Sequence, residues 1–206
     1  MKITLSKISK SYNHHRIFNK LDFQFEPGNA YVILGANGSG KSSLLQLIAG
    51  SLLPTSGTIS YHSSTAEIPS EQIYSYISLL APYLEIIEAF SLEEIIAFHF
   101  QFKEFYPGLD SIKIKEIIGL GDTHHKVLKE FSSGMKQRVK IALNVLCNTP
   151  ILLLDEPTNN LDKNGIEWYT DLMARFRENR TVIVCSNEQK AEYAFCNKEL
   201  LIENYK

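Results

Sequence analysis

The chain has 206 residues, 44% of them hydrophobic and 21% charged, with a formal net charge of −2. That balance describes an ordinary globular protein long enough for one well-filled domain, and it supplies no global field to draw nucleic acid or anionic lipid. No run approaches the roughly 20 apolar residues that span a bilayer, and Met1 to Lys10 lack the apolar centre of a signal peptide.

From Met1 to about Ser60 the pattern predicts mostly strands. Ile3, Leu5 and Ile8 mark a first strand, and Leu21, Phe23 and Phe25 alternate with Asp22, Gln24 and Glu26 as in a half-buried second one. After the turn residues Glu26-Pro27-Gly28-Asn29, the run Ala30 to Leu34 predicts a fully buried strand. A glycine-rich loop follows, then a helix with Leu44, Leu45, Leu47 and Ile48 on one face and Gly50 as its stop.

A strand from Tyr76 to Leu80 leads into a stretch of helical character, about residues 82–131. There Ser91-Leu92-Glu93-Glu94 has the form of a capping box, and Lys113 to Gly121 predicts a further short helix. The last third alternates. A helix from about Ser133 to Asn148 precedes the strand Ile151–Leu154, one from Gly165 to Glu178 precedes Thr181–Cys185, and one from Gln189 to Phe195 precedes Glu199–Glu203. Strands separated by helices imply parallel crossovers and a buried sheet. Cys147, Cys185 and Cys196 read as small hydrophobes, and the His14-His15 and His124-His125 pairs as solvated loop or helix-end residues.

Two motifs carry chemistry. Gly35-Ala36-Asn37-Gly38-Ser39-Gly40-Lys41-Ser42 fits G-x-x-x-x-G-K-[ST], in which glycines let backbone N–H groups curl around phosphate oxygens at a helix start. Lys41 would then reach the β- and γ-phosphates, Ser42 would bind Mg²⁺, and Ser43 would add one more contact in the first turn. Ile151 to Leu154 place Asp155 at the carboxyl end of a buried strand as a Mg²⁺ ligand, with Glu156 set to orient or deprotonate an attacking water.

A third motif points to a family. Phe131-Ser132-Ser133-Gly134-Met135-Lys136-Gln137-Arg138, shortly before the Ile151 strand, resembles the signature of ATP-binding cassette (ABC) proteins. Asp155-Glu156-Pro157-Thr158-Asn159-Asn160-Leu161-Asp162 resembles their Walker B and D-loop. The resemblance spans nearly the whole chain, with a looser likeness to small bacterial export subunits such as those of cytochrome c biogenesis. It implies one ABC-type domain over residues 1–206 with a P-loop NTPase fold: a mainly parallel α/β core, an N-terminal antiparallel β lobe and an inserted α-helical lobe.

The resemblance further implies ATP as substrate with Mg²⁺, and a head-to-tail dimer of two copies. Ser132 and Gly134 of one copy would close over the phosphates held by the other, and Asp162 would communicate between them. Ser132-Ser133 also reads as an ordinary N-cap, and Asp162 as a helix cap before Gly165. Tyr12 matches the aromatic that stacks on adenine, beside the plainer reading of a surface or core tyrosine. A separate membrane permease would dock on the helical lobe, leaving the chain cytoplasmic and peripheral at the membrane's inner face, with no nucleic-acid partner.

Four positions depart from the family pattern. Ser133 and Met135 replace a glycine and a glutamine of the signature. Ala81, followed by Pro82, stands where a metal-sensing glutamine is usual. Asn187 replaces the switch histidine, keeping a hydrogen bond to the γ-phosphate but not a positive charge. Slow turnover with intact ATP binding is the expectation. A non-transport ABC ATPase, or a regulatory module with negligible hydrolysis, stays open as an alternative.

Overall fold

The computed structural model describes residues 1–13, 15–121, 123 and 126–206. His14, His124 and His125 therefore lie outside the described residues, and only His15 of the two histidine pairs is placed, exposed at the start of a strand. In chain order the elements begin with β1 (Lys2–Tyr12), β2 (His15–Phe25), β3 (Ala30–Leu34), α1 (Lys41–Ile48), β4 (Ser56–His62), β5 (Glu67–Ile68) and β6 (Ile77–Leu80). There follow α2 (Leu92–His99), α3 (Ser111–Ile118), α4 (Ser133–Val145), β7 (Ile151–Asp155), α5 (Lys163–Phe176), β8 (Thr181–Ser186), α6 (Lys190–Tyr193) and β9 (Lys198–Leu201).

Two sheets form. An antiparallel sheet runs β2-β1-β4-β5, and its half-buried alternation is realised in β2, where Leu21 and Phe25 are buried while Asp22 and Gln24 face out. A parallel sheet runs β6-β7-β8-β3-β9. Its central strands are buried on both faces, so the period-2 alternation divides their side chains between two cores. Ile151, Leu153, Ile183 and Cys185 join the core beneath the antiparallel sheet, while Leu152, Leu154, Val182 and Val184 join the core shared with α2–α5. The expected α/β fold with its antiparallel β lobe is the fold observed.

Several element ends fall short of the sequence expectation, α5 at Phe176 and α6 at Tyr193 by two residues each, and three others for a clear local reason. α3 covers Ser111–Ile118 rather than Lys113–Gly121, because Asp110 caps it by accepting the Lys113 N–H and Gly119 ends it with φ 64°. α4 stops at Val145 because the chain is diverted into pairing with residues 104–106, where Tyr106 N–H donates to Leu146 O and Asn148 N–H to Glu104 O. β9 ends at Leu201 instead of Glu203, and Ile202–Tyr205 curl into a 3-10 turn around the fully buried Ile202. The capping box at Ser91 is present in full: Ser91 Oγ accepts the Glu94 N–H at 3.3 Å and Glu94 Oε2 accepts the Ser91 N–H at 2.7 Å. Of the cysteines, Cys147 and Cys185 are buried and Cys196 is partly so.

Candidate functional site

Strand order decides which residues meet. β8 lies between β7 and β3, with Leu34 paired to Ser186 and Asp155 paired to Cys185. The residues at or just past the carboxyl ends of these three parallel strands lie side by side: the loop from Gly35, Asn187, and Asp155-Glu156. That end is where open α/β sheets bind ligands.

The loop is shaped by its glycines. Gly38 and Gly40 have φ 76° and 105°, and a Cβ on Gly40 would lie 2.3 Å from Ile17. Gly40 caps α1 without a side-chain bond, so the first-turn N–H groups of Lys41, Ser42 and Ser43 stay directed into the loop. Asn37 is exposed, whereas Ser39 is buried and its Oγ has no partner among the described residues. Lys41, only 5% exposed, donates through Nζ to Gly35 O at 2.7 Å, Ala36 O at 3.1 Å and Asn187 Oδ1 at 2.5 Å.

Asp155 is 3% exposed, and its Oδ1 has no partner among the described residues. Burial pushes its carboxyl pKa above the usual range, opposed by the Ser42 hydroxyl within hydrogen-bonding reach and by Lys41. A buried carboxylate oxygen in want of a partner, next to a serine hydroxyl, is a hard oxygen donor set that fits Mg²⁺. Glu156 holds φ 46° in the left-handed region, pinned there because its N–H donates to Cys185 O at 2.9 Å. Both of its carboxylate oxygens accept amide protons, Oε1 from Asn187 and Oε2 from Asn159 at 2.6 Å. Asn187 thus bridges Lys41 to Glu156.

The signature residues form a second, separate cluster. Ser132 caps α4, its Oγ accepting the Met135 N–H at 3.2 Å. Gln137 donates to Pro157 O at 2.8 Å, tying α4 to the turn after Glu156. Gly134 packs so closely that a Cβ there would lie 2.9 Å from Asn160 O. Asp162 caps α5 by accepting the Gly165 N–H at 2.8 Å. Ser132, Gly134, Asn160 and Asp162 line a depression of about 310 Å³ to which no phosphate-loop residue contributes. Tyr12 stands at the end of β1, 46% exposed, with Lys10 Nζ 4.8 Å from its ring centroid.

Sequence reasoning passed over several residues here. Asn159 holds Glu156, and a hint was available in its spacing of one turn from that residue. Glu192 on α6 is 1% exposed and accepts from Thr158 N at 3.2 Å and Thr158 Oγ1 at 2.8 Å; burial raises its pKa. Ala81 lies buried beside Asp155 at the end of β6, and two residues on, the Tyr83 hydroxyl reaches Gln46 on α1, one turn beyond Ser42.

Comparison with known proteins agrees with this geometry. The family model described as ABC transporter matches residues 18–159. The chain is 34% identical over 163 residues to the cytochrome c biogenesis ATP-binding export protein CcmA of Rhodopseudomonas palustris, covering 77% of each. It is 27% identical over 186 residues to the lantibiotic transport ATP-binding protein SrtF of Streptococcus pyogenes, covering 90% of this chain and 80% of that one. Among solved structures it is similar to a putative ABC transporter ATP-binding protein from Pyrococcus furiosus, with TM-score 0.82 and 24% identity over the full length of both chains. It is also similar to the dimeric cassette MJ0796 bound to ADP and phosphate, with TM-score 0.80 and 21% identity over 97% of this chain and 94% of that one. With the family model matched across its phosphate loop and its Asp155-Glu156 turn, the chain belongs to the ABC transporter family, among its ATP-binding subunits.

Proposed function

We propose that this chain is one ABC-type domain over residues 1–206 that binds and slowly hydrolyses ATP, closing head to tail on a second copy to drive a separate membrane permease. The observation that carries the reading is the meeting of Lys41, Ser42, Asp155, Glu156 and Asn187 at the ends of three neighbouring strands. The backbone of Gly35, Asn37, Gly38, Ser39, Gly40, Ser42 and Ser43 would wrap the phosphates, with Lys41 turning from the loop carbonyls to the β- and γ-oxygens. Ser42 and Asp155 would hold Mg²⁺, which when bound supplies positive charge against the phosphates. Glu156 accepts the proton of the attacking water, and Tyr12 offers its exposed ring to adenine. Ser132, Gly134 and Asp162 serve the ATP of the partner copy.

The permease would dock beside the helical stretch of about residues 82–131. A groove of about 230 Å³ there is lined by Leu84, Ile87, Ile95, Phe98, Lys140 and Leu143. Among the described residues no helix is long and apolar enough to cross a membrane. This reading places the chain peripherally at the inner face of the membrane.

Slow turnover follows from Asn187. It offers the γ-phosphate a neutral amide, and in the resting chain that amide is already engaged with both Lys41 and Glu156. The test is steady-state ATPase with Asn187→His beside the parent, together with Mg-ATP affinity. The variant should turn over about tenfold faster or more with affinity little changed, since one charged contact to a transition state commonly contributes a few kcal/mol. No gain in rate would remove this explanation. The alternative of a regulatory module draws on the same two departures, Ala81 and Asn187, and predicts that no measurable turnover appears even with the permease present.

A further inference from the structure

We propose that Glu203 is a positioning residue of the nucleotide site, its carboxylate holding the start of the phosphate loop in shape before ATP arrives. The proposal rests on reading Gly35–Ser43 as that site. β9 runs parallel to β3 with Leu34 paired to Leu201, so Gly35-Ala36 and Ile202-Glu203 leave the sheet next to each other. Ile202 is wholly buried and the Tyr205 hydroxyl donates to Asp22 O at 3.3 Å, and these anchors hold the 3-10 turn against the loop. From that turn Glu203 Oε1 accepts the Ala36 N–H at 2.7 Å.

On its carbonyl side the same stretch is gripped by Lys41 Nζ, at Gly35 O and Ala36 O. A carboxylate and an ammonium thus hold one peptide stretch from two sides. Gly35 is required by the approach, since a Cβ there would lie 2.6 Å from Ile202 Cγ2 and 2.8 Å from Glu203 Oε1. The Ala36 N–H is also the main reason the Glu203 carboxyl pKa is held below the usual range.

A loop with glycines at 35, 38 and 40 has many conformations to lose when it closes on phosphate. Fixing its first peptide beforehand lowers that loss and so tightens binding. The negative charge itself works the other way, because it repels an incoming phosphate. The useful part of Glu203 is therefore its acceptor oxygen, which glutamine retains and alanine does not.

Mg-ATP affinity and steady-state ATPase, measured on the full chain and on Glu203→Ala, Glu203→Gln and Lys41→Ala, test this. Glu203→Ala should weaken Mg-ATP about three- to tenfold while kcat at saturating ATP stays within about twofold, and Glu203→Gln should bind at least as tightly as the parent. Hydrogen exchange at the amides of residues 36–40 should quicken in the alanine variant and not in the glutamine one. The proposal is overturned if Glu203→Ala keeps the parent affinity, or if Glu203→Gln is as weak as Glu203→Ala. Loss of ATP by Lys41→Ala beside an unchanged Glu203→Ala would sink this proposal alone, whereas normal ATP binding by Lys41→Ala would sink the reading of the loop as well.

Discussion

The phosphate-loop cluster and the signature cluster are built on opposite plans. In the first, Lys41, Asn187, Glu156 and Asn159 form a continuous hydrogen-bonded chain drawn from three segments, so the charges of Lys41 and Glu156 both have partners within the protein. In the second, Ser132 makes the local bond of a helix cap, and the start of α4 lines a depression with Gly134 packed close against Asn160 O. A helix start with free N–H groups suits an anion from outside. The first cluster is organised in advance within one chain, and under the proposed head-to-tail pairing the second would receive the phosphates carried by another.

Substitutions can break that comparison. The largest effect is expected from Glu156→Gln, which keeps the shape of the side chain and removes the base. Turnover should fall by about 10²–10⁴ while Mg-ATP affinity is retained, read by steady-state kinetics beside equilibrium binding. Undiminished turnover would place the base elsewhere. Next comes Gly134→Asp, which sets a carboxylate and a Cβ where Asn160 O already crowds. ATP-driven dimerisation and turnover should drop at least about tenfold while a single chain binds Mg-ATP within about threefold of the parent, by light scattering and calorimetry. An equal loss of single-chain affinity would show the two clusters to be one.

The smallest effect concerns the packing between α2 and α4, away from both clusters. His99 Nε2 lies 3.2 Å from Cys147 Sγ, and burial, with Lys103 adding to it, lowers the histidine pKa to about 4. The folded chain keeps this imidazole neutral while the unfolded chain protonates it near the ordinary value of 6.5. Its stabilising contribution is thus complete above pH 6.5 and is lost as pH falls through that value toward 4. In urea titrations across that window His99→Leu should reduce the slope of stability against pH by up to about 1.4 kcal/mol per unit, leaving ATP affinity at neutral pH unchanged. A slope equal to the parent's would mean that the imidazole is not kept neutral.

How much could be read without coordinates follows from how far each contact reaches along the chain. β2 was readable because Leu21, Phe23 and Phe25 alternate, and α2 because Ser91 and Glu94 stand at capping-box spacing. The loop at Gly35–Ser42 and the turn at Asp155-Glu156 are contiguous, so their chemistry is written locally. The ends of α3 and β9 were misplaced because an aspartate cap, a glycine stop and a 3-10 turn outweighed apolar pattern. Glu203 carried no signal at all, since its partner Ala36 lies 167 residues away.

The sequence by itself determined which segments alternate between strand and helix, where the phosphate loop lies and which acidic pair ends β7, because turns, caps and buried runs are short-range properties. Tertiary structure alone decided that β8 separates β3 from β7, that Asn187 spans Lys41 and Glu156, and that Glu203 reaches the loop. Those pairings depend on strand order, which is settled by burying apolar faces across the whole chain and leaves no mark on any one stretch of residues.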